Sequence, residues 1–183
     1  SLGVKYLAQA CKRNGGRILH ISTDFVFDGS STTPYQTDAK PNPLNVYGAS
    51  KLAGDLALNE ILPEASVIVR TAWVYSVHGH NFVKTMLRLM QEKPKLGIVY
   101  DQIGTPTSAQ GLAKWLWIVA SKSEVTGTYH WTDGGVASWY DFAIAIQELA
   151  LEKGLLNIAI PIFPILAADF PTPARRPAFS VID

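Results

Sequence analysis

The sequence predicts an α/β fold built on a doubly wound parallel sheet, with a smaller α/β lobe towards the C-terminus. Three observations predict it. A helical apolar pattern ends in glycines and feeds a short, continuous apolar strand, which is half of a parallel crossover unit. Helical and extended patterns then alternate as far as Lys153. Finally, 183 residues with 48% apolar content suffice for one packed core with an appended lobe.

From Leu2 to Arg13, Leu2, Tyr6, Leu7, Ala10 and Cys11 recur at helical spacing, and Asn14-Gly15-Gly16 stops the helix. Arg17 to Ser22 then reads as a short buried strand. The stretch from Asp28 to Pro43 is rich in Gly, Ser, Thr, Asp and Pro, and a connection of that length in a compact domain is expected to be a working loop on the ligand side. Val46 to Ile61 returns to helical spacing, Pro63 forbids its continuation, and Ser66 to Val69 supplies a β-branched strand ending at Arg70. Further on, helices are predicted over Asn81 to Glu92 and Ser108 to Ser121, and strands over Leu96 to Tyr100 and Gly127 to Trp131. Ser138 to Lys153 closes the series as a helix, with Ser138 as N-cap and Asp141 in its first turn. Beyond Gly154 the proline-punctuated chain is expected to be mostly irregular. In such folds ligands sit beyond the carboxyl ends of the strands.

The formal net charge is +1 and the basic residues are scattered, so neither nucleic acid nor a membrane surface is an expected partner. Cys11 is the only cysteine, which rules out an intramolecular disulfide and a cysteine-based metal site and fits a reducing cytoplasm. No apolar run reaches the ~20 residues of a membrane span, and a cytoplasmic, soluble protein is expected. His78 and His80 have no acidic or cysteine partner at useful spacing, so no metal site is expected there, and His20, within a strand, reads as a satisfied core histidine.

Tyr47-Gly-Ala-Ser-Lys51 places a phenol and an ammonium four positions apart on one helix face, within mutual reach. A nearby cation stabilises a phenolate and so makes a tyrosine a usable proton donor closer to neutrality. Upstream, Ser22-Thr23-Asp24 falls where a buried strand ends, where a hydroxyl could hold a carbonyl oxygen beside the tyrosine; the same residues could merely open a turn.

The runs I-L-H-I-S-T-D-F-V-F-D (Ile18 to Asp28), P-L-N-V-Y-G-A-S-K-L-A-G-D, V-R-T-A-W-V-Y, D-Q-I-G-T-P-T and P-T-P-A-R-R-P follow in order, and together they closely resemble the dTDP-4-dehydrorhamnose reductases, extended short-chain dehydrogenase/reductases. The resemblance covers essentially the whole chain and corresponds to the last two-thirds of a family member. It implies a partial Rossmann-like sheet over residues 1–77 carrying a catalytic triad of Thr23, Tyr47 and Lys51. Residues 78–183 would be mainly a substrate-binding lobe, with elements returning to the core.

By the same resemblance Tyr47 would protonate the reduced oxygen, and Lys51 would tune the tyrosine and bind the nicotinamide ribose of NADPH or NADH. Thr23 would hydrogen-bond the keto oxygen of a dTDP-linked 4-keto-6-deoxysugar. Asp24 would face the sugar and Trp73 would bound its ring, roles a carboxylate and an indole suit chemically, although Trp73 reads equally as a core residue. Asn81 and Gln102 are further contact candidates. Arg175 and Arg176 match a diphosphate by their guanidinium forks or form a solvated turn.

The implied activity is reduction of dTDP-4-dehydro-L-rhamnose to dTDP-L-rhamnose for cell-envelope polysaccharide. Two alternatives stay open: reduction of another nucleotide-linked deoxysugar, and a non-catalytic role like that of the regulatory subunit of methionine adenosyltransferase, which the family also resembles. No glycine falls in a G-x-G-x-x-G or G-x-x-G-x-x-G pattern, so the dinucleotide-gripping turn of the family is expected to lie outside this sequence, which reads as a fragment. A half-sheet of this kind is expected to expose a strand edge and apolar helix faces and to self-associate, a homodimer included.

Overall fold

The structure, a computed structural model, describes residues 2–183. In chain order its regular elements are α1 (Leu2–Asn14), β1 (Ile18–Thr23), α2 (Val46–Ile61), β2 (Ser66–Thr71), β3 (Val74–Tyr75), α3 (Phe82–Glu92), β4 (Leu96–Val99), β5 (Ile103–Gly104), β6 (Thr107–Ser108), α4 (Ala109–Ala120), β7 (Gly127–His130), β8 (Ala137–Ser138), α5 (Trp139–Glu152) and β9 (Ile162–Ile165). The main sheet is parallel throughout, in the order β1-β2-β7.

Strand β2 explains the double winding. All six of its residues are buried, and its side chains alternate between two cores. Ile68 packs with Ala8 of α1 and Leu58 of α2 on one face. Val67 and Val69 pack with Leu112 and Val119 of α4 on the other. The Arg17 guanidinium, just before β1, reaches across to the carbonyl of Val119 at 2.9 Å and to that of Val125, satisfying acceptors at the C-terminal end of α4. Among the described residues nothing pairs with the outer edge of β1: Ile21 is 43% exposed there, and α1 exposes Leu2, Tyr6 and Leu7.

In the second lobe α3 and α5 pack about Met86, Met90, Ala143, Ile146 and Leu156, covered by the parallel pair β4-β9. The predicted helices α3, α4 and α5 start on Asn81, Ser108 and Ser138, each of which caps a backbone N–H with its side chain, and Ser138 and Asp141 form a capping box. The hydrogen bonds from Ser138 also hold the Asp141 carboxyl below its ordinary pKa. Beyond Gly154 the chain is mostly irregular, as expected, apart from the short strand β9 and a 3₁₀ turn over Ala167–Asp169. Pro164 masks the strand in sequence, yet a strand paired on one side only tolerates a residue without an N–H.

The last residues tie the molecule together. On β5, Ile103 N–H donates to Ala178 O and Ile103 O accepts from Ser180 N–H, and Tyr35 N–H donates to Val181 O while Asp183 N–H donates to Tyr35 O. The loop from Asp28 to Pro43 is therefore built into the fold. Asp28 organises it, accepting from Ser30 N–H and Oγ, Tyr35 OH and Asn42 Nδ2 at 2.7–3.1 Å, and these bonds hold its carboxyl far below the usual range. Gly29, at φ +79°, lies so close to Pro177 and Ala178 that a Cβ would meet them at 2.6–2.9 Å. No described helix is long and apolar enough to cross a membrane.

Candidate active site

At the carboxyl end of β1, Thr23 caps a one-turn 3₁₀ segment over Asp24–Val26. Its hydroxyl accepts from Phe25 N–H at 3.2 Å and donates to Asp24 Oδ1 at 2.9 Å. Asp24 is 2% exposed, and burial pushes its carboxyl up to about 6, against the opposing pull of the Ser180 and Thr23 hydroxyls. Asp24 is thus buried, with Oδ1 accepting from the Thr23 hydroxyl, where the resemblance implied a carboxylate facing a sugar. Ser22 faces the other way and donates to Asp55 Oδ2 at 2.8 Å.

The first turn of α2 meets this 3₁₀ turn. Phe25 packs edge-on against Tyr47, with ring centroids 5.9 Å apart. Tyr47 is 54% exposed. One turn along, the Lys51 ammonium donates to the carbonyl of Ile21 on β1. Another turn on, Asp55 is buried and collects Ser22, His20 (Nε2 to Oδ1, 3.4 Å) and Arg70 (Nε to Oδ2, 3.6 Å). The Arg70 guanidinium also lies over the Phe27 ring and donates to Thr37 O, and burial holds its pKa below the ordinary value despite Asp55.

Tyr47, Lys51 and Asp55 therefore form a polar stripe at i, i+4 and i+8 on the face of α2 that meets the sheet, where an ordinary amphipathic helix presents apolar groups. Asp55 and Arg70 were not among the residues singled out from the sequence. The signal that could have found Asp55 is that same spacing, extended one turn beyond Lys51.

Trp73 has a positive φ of 46°, and its ring stacks on Trp139 at 3.5 Å with 4° between planes. A Cβ on Gly104 would lie 2.5 Å from the same indole, so Gly104 gives it room. Both indoles are half-buried, and Trp139 is the one that stands at a cavity wall. With Phe82, Met86, Gln102, Phe170 and Arg176 it lines a cavity of about 390 Å³ between α3, β4 and the C-terminal segment. Nothing in the sequence separated Trp139 from a core tryptophan.

The structure therefore brings Gln102 and Arg176 together at the cavity, and Thr23, Asp24, Tyr47 and Lys51 together at the strand end. Asn81 is occupied elsewhere: its Oδ1 accepts from Lys84 N–H and its Nδ2 donates to Ser76 O, which fixes the start of α3. Arg175 is joined to α2 only through its backbone, its carbonyl accepting from Asn45, the α2 N-cap, at 2.8 Å. That bond links the two halves of the site, because the next residue, Arg176, reaches the cavity. His78 and His80 lie exposed between β3 and α3.

The open side of the Tyr47–Lys51 pair suits a dinucleotide's ribose. Tyr47 is half exposed, Lys51 keeps ammonium protons beyond the one given to Ile21 O, and the neighbouring edge of β1 is uncovered among the described residues.

A doubly wound α/β protein with a tyrosine–lysine pair at the carboxyl end of its sheet is the class that these elements define. The family model for the RmlD substrate binding domain matches residues 1–183, and the chain belongs to that family. It is 45% identical over 186 residues to the dTDP-4-dehydrorhamnose reductase of Aggregatibacter actinomycetemcomitans, covering 99% of this chain and 63% of that protein. Against the Shigella flexneri dTDP-4-dehydrorhamnose reductase it is 43% identical over 180 residues, covering 95% and 59%. Among solved structures, the Bacillus anthracis dTDP-4-dehydrorhamnose reductase in complex with NADP superposes with a TM-score of 0.92 at 36% identity, over 100% of this chain and 62% of that one. The chain thus spans about three-fifths of the length of these relatives.

Proposed function

We propose that this chain carries the acid/base and sugar-nucleotide part of an enzyme that reduces the 4-keto group of dTDP-4-dehydro-L-rhamnose to give dTDP-L-rhamnose, with NADPH or NADH as reductant. Residues 1–77 form the half of the dinucleotide-binding core that holds the triad, and residues 78–183 form mainly the substrate lobe, with α4 and β7 returning to the core sheet. The observation that carries this reading is the pairing of Tyr47 and Lys51 on one face of α2, with Lys51 fixed to Ile21 O and Thr23 at the adjoining strand end.

The nicotinamide, when bound, supplies the hydride. Tyr47 gives its phenolic proton to the oxygen of the reduced carbonyl, and Lys51, one turn away, stabilises the phenolate left behind and binds ribose hydroxyls. Thr23 holds the keto oxygen in place. The cavity takes the thymidine end of the substrate: Trp139, Phe82 and Phe170 offer aromatic faces, Gln102 a carboxamide, and Arg176 a cation for the diphosphate. Trp73 acts on the sugar through Trp139, which it supports.

The test is turnover of dTDP-4-dehydro-L-rhamnose by the full-length protein, followed by nicotinamide absorbance. Tyr47→Phe is expected to lower kcat by roughly 10²–10⁴-fold, the usual worth of a positioned acid. Undiminished turnover in that variant, or none in the natural protein with either nicotinamide, overturns the reading.

A further inference from the structure

The Thr23 hydroxyl has one proton, and the structure commits it. Thr23 Oγ1 donates to Asp24 Oδ1 at 2.9 Å and accepts from Phe25 N–H at 3.2 Å. While Asp24 is a carboxylate, Thr23 therefore offers the site only a lone pair, which repels a keto oxygen instead of holding it. We propose that Asp24 is the positioning residue that sets the direction of this hydroxyl: as a neutral acid it donates to Thr23 Oγ1 and frees the Thr23 proton for the substrate's keto oxygen, and as a carboxylate it takes that proton back. The inference rests on the reading of Thr23 as the residue that holds the keto group.

Three features support it. The O···O separation of 2.9 Å serves a hydrogen bond in either direction, so reversal needs no movement of heavy atoms. Asp24 is 2% exposed and its second oxygen, Oδ2, is buried and makes no close hydrogen bond, the nearby Ser180 hydroxyl being directed to Ile103 O at 3.4 Å; a charge is poorly tolerated in such a place, and a neutral acid is not penalised. No charged side chain compensates. The groups acting on Asp24 are the Thr23 and Ser180 hydroxyls and the backbone amides of its own turn. From α2, which packs against that turn, the titratable groups on the facing stripe are Tyr47, Lys51 and Asp55; Lys51 is engaged with Ile21 O, and Asp55 with Ser22 and Arg70. From the C-terminal segment, Asp183 is turned away to Gln36 Nε2. Burial holds the Asp24 carboxyl up at about 6, so both of its forms are populated near neutrality, and a sugar covering Thr23 favours the neutral one further.

The experiment follows the Asp24 carboxyl by ¹³C NMR in the full-length protein and, separately, the pH profile of kcat. Asp24 is expected to titrate near pH 6, and Thr23→Val, which removes the donor that stabilises the carboxylate, to move that midpoint up by about one unit. In the natural protein kcat is expected to fall as pH rises through the midpoint, with KM little moved. Asp24→Asn, whose amide donates to Thr23 at every pH, removes that limb, and so does Asp24→Ala, which leaves no carboxylate to take the Thr23 proton. An Asp24 midpoint near 4, a midpoint indifferent to Thr23→Val, or the same limb persisting in Asp24→Asn overturns the proposal. The NMR arm needs no turnover: a protein that reduces no keto-sugar yet shows the Thr23-linked titration refutes the reductase reading alone, and an active enzyme with a permanently ionised Asp24 refutes the coupling alone.

Discussion

Gly48 brings the first turn of α2 so close to Phe25 that a Cβ at position 48 would stand 2.1 Å from the Phe25 carbonyl oxygen. The glycine is needed for approach and not for a special backbone angle, and the approach sets where the neighbouring Tyr47 stands relative to the 3₁₀ turn of Thr23. Gly48→Ala must push α2 away from the 3₁₀ turn that holds Phe25. Overpacking of this kind costs about 1–3 kcal/mol, and a shift of about 1 Å at a reacting group can cost roughly 10²-fold in rate. The expected outcome is a folded variant with a lower thermal midpoint and kcat reduced about a hundredfold, read by calorimetry and turnover together.

Asp55 is the anchor behind the same helix. Removing it leaves Arg70, itself 6% exposed, without its carboxylate, and Ser22 without its acceptor. Breaking one side of a buried pair costs about 3–5 kcal/mol, more than the pair itself is worth against an apolar replacement. Asp55→Ala is expected to lose stability of that order in urea unfolding, and Asp55→Ala combined with Arg70→Met to recover part of it. Equal losses in the single and double variants would show that Arg70 is held by Thr37 O and the Phe27 ring instead.

The placing of Tyr47 and Lys51 on one face of α2 was legible because they are close in sequence and helical spacing alone puts them together. The sheet was legible for a similar reason: the apolar run of β2 and the breakers Gly15, Gly16 and Pro63 are local signals. What escaped were partnerships set by tertiary packing. Ser22 and Asp55 are 33 positions apart, and Trp73 and Trp139 are 66 apart; no periodicity joins them. Asn81 was a ligand-contact candidate only through the family resemblance, whereas its place at the start of an apolar helical run already suited an N-cap. Asp24 was expected from the resemblance to face the sugar; its burial, and the approach of a hydroxyl as distant in sequence as Ser180, leave no trace in the local pattern.

His130 should make the fold acid-sensitive. Burial first, and the nearby charge of Arg70 second, hold its imidazole down at about 4 against an ordinary 6.5. Between those values the unfolded chain binds a proton that the folded one refuses, so stability rises with pH across the window and is lost as pH falls from 6.5 towards 4. Asp24, raised from 3.8 to about 6, acts in the opposite sense: its contribution is complete below 3.8 and lost as pH rises through 6. His130→Gln is expected to flatten the acid side of a plot of thermal midpoint against pH, and Asp24→Asn to raise the midpoint at pH 7 more than at pH 5. Parallel profiles for the natural protein and both variants would assign the pH dependence to other groups.

Arg175 and Arg176 are adjacent and carry the same side chain, yet the structure separates them. Arg176 lines the cavity beside Trp139 and Gln102, whereas Arg175 is tied in through its backbone carbonyl, which accepts from Asn45. A substitution at 175 keeps that carbonyl; one at 176 removes the cation. If the cavity takes the nucleotide end of a dTDP-sugar, Arg176→Ala is expected to weaken dTDP binding about tenfold or more in titration calorimetry, since a hydrogen bond to a charged group is worth about 1.5–3 kcal/mol. Arg175→Ala should cost distinctly less. The loss at 176 should also shrink as salt is added, because exposed charges are screened beyond about 8 Å at physiological ionic strength. Equal losses at the two positions would mean that the segment contributes only diffuse positive charge, and the diphosphate would then have to be held from another wall of the cavity.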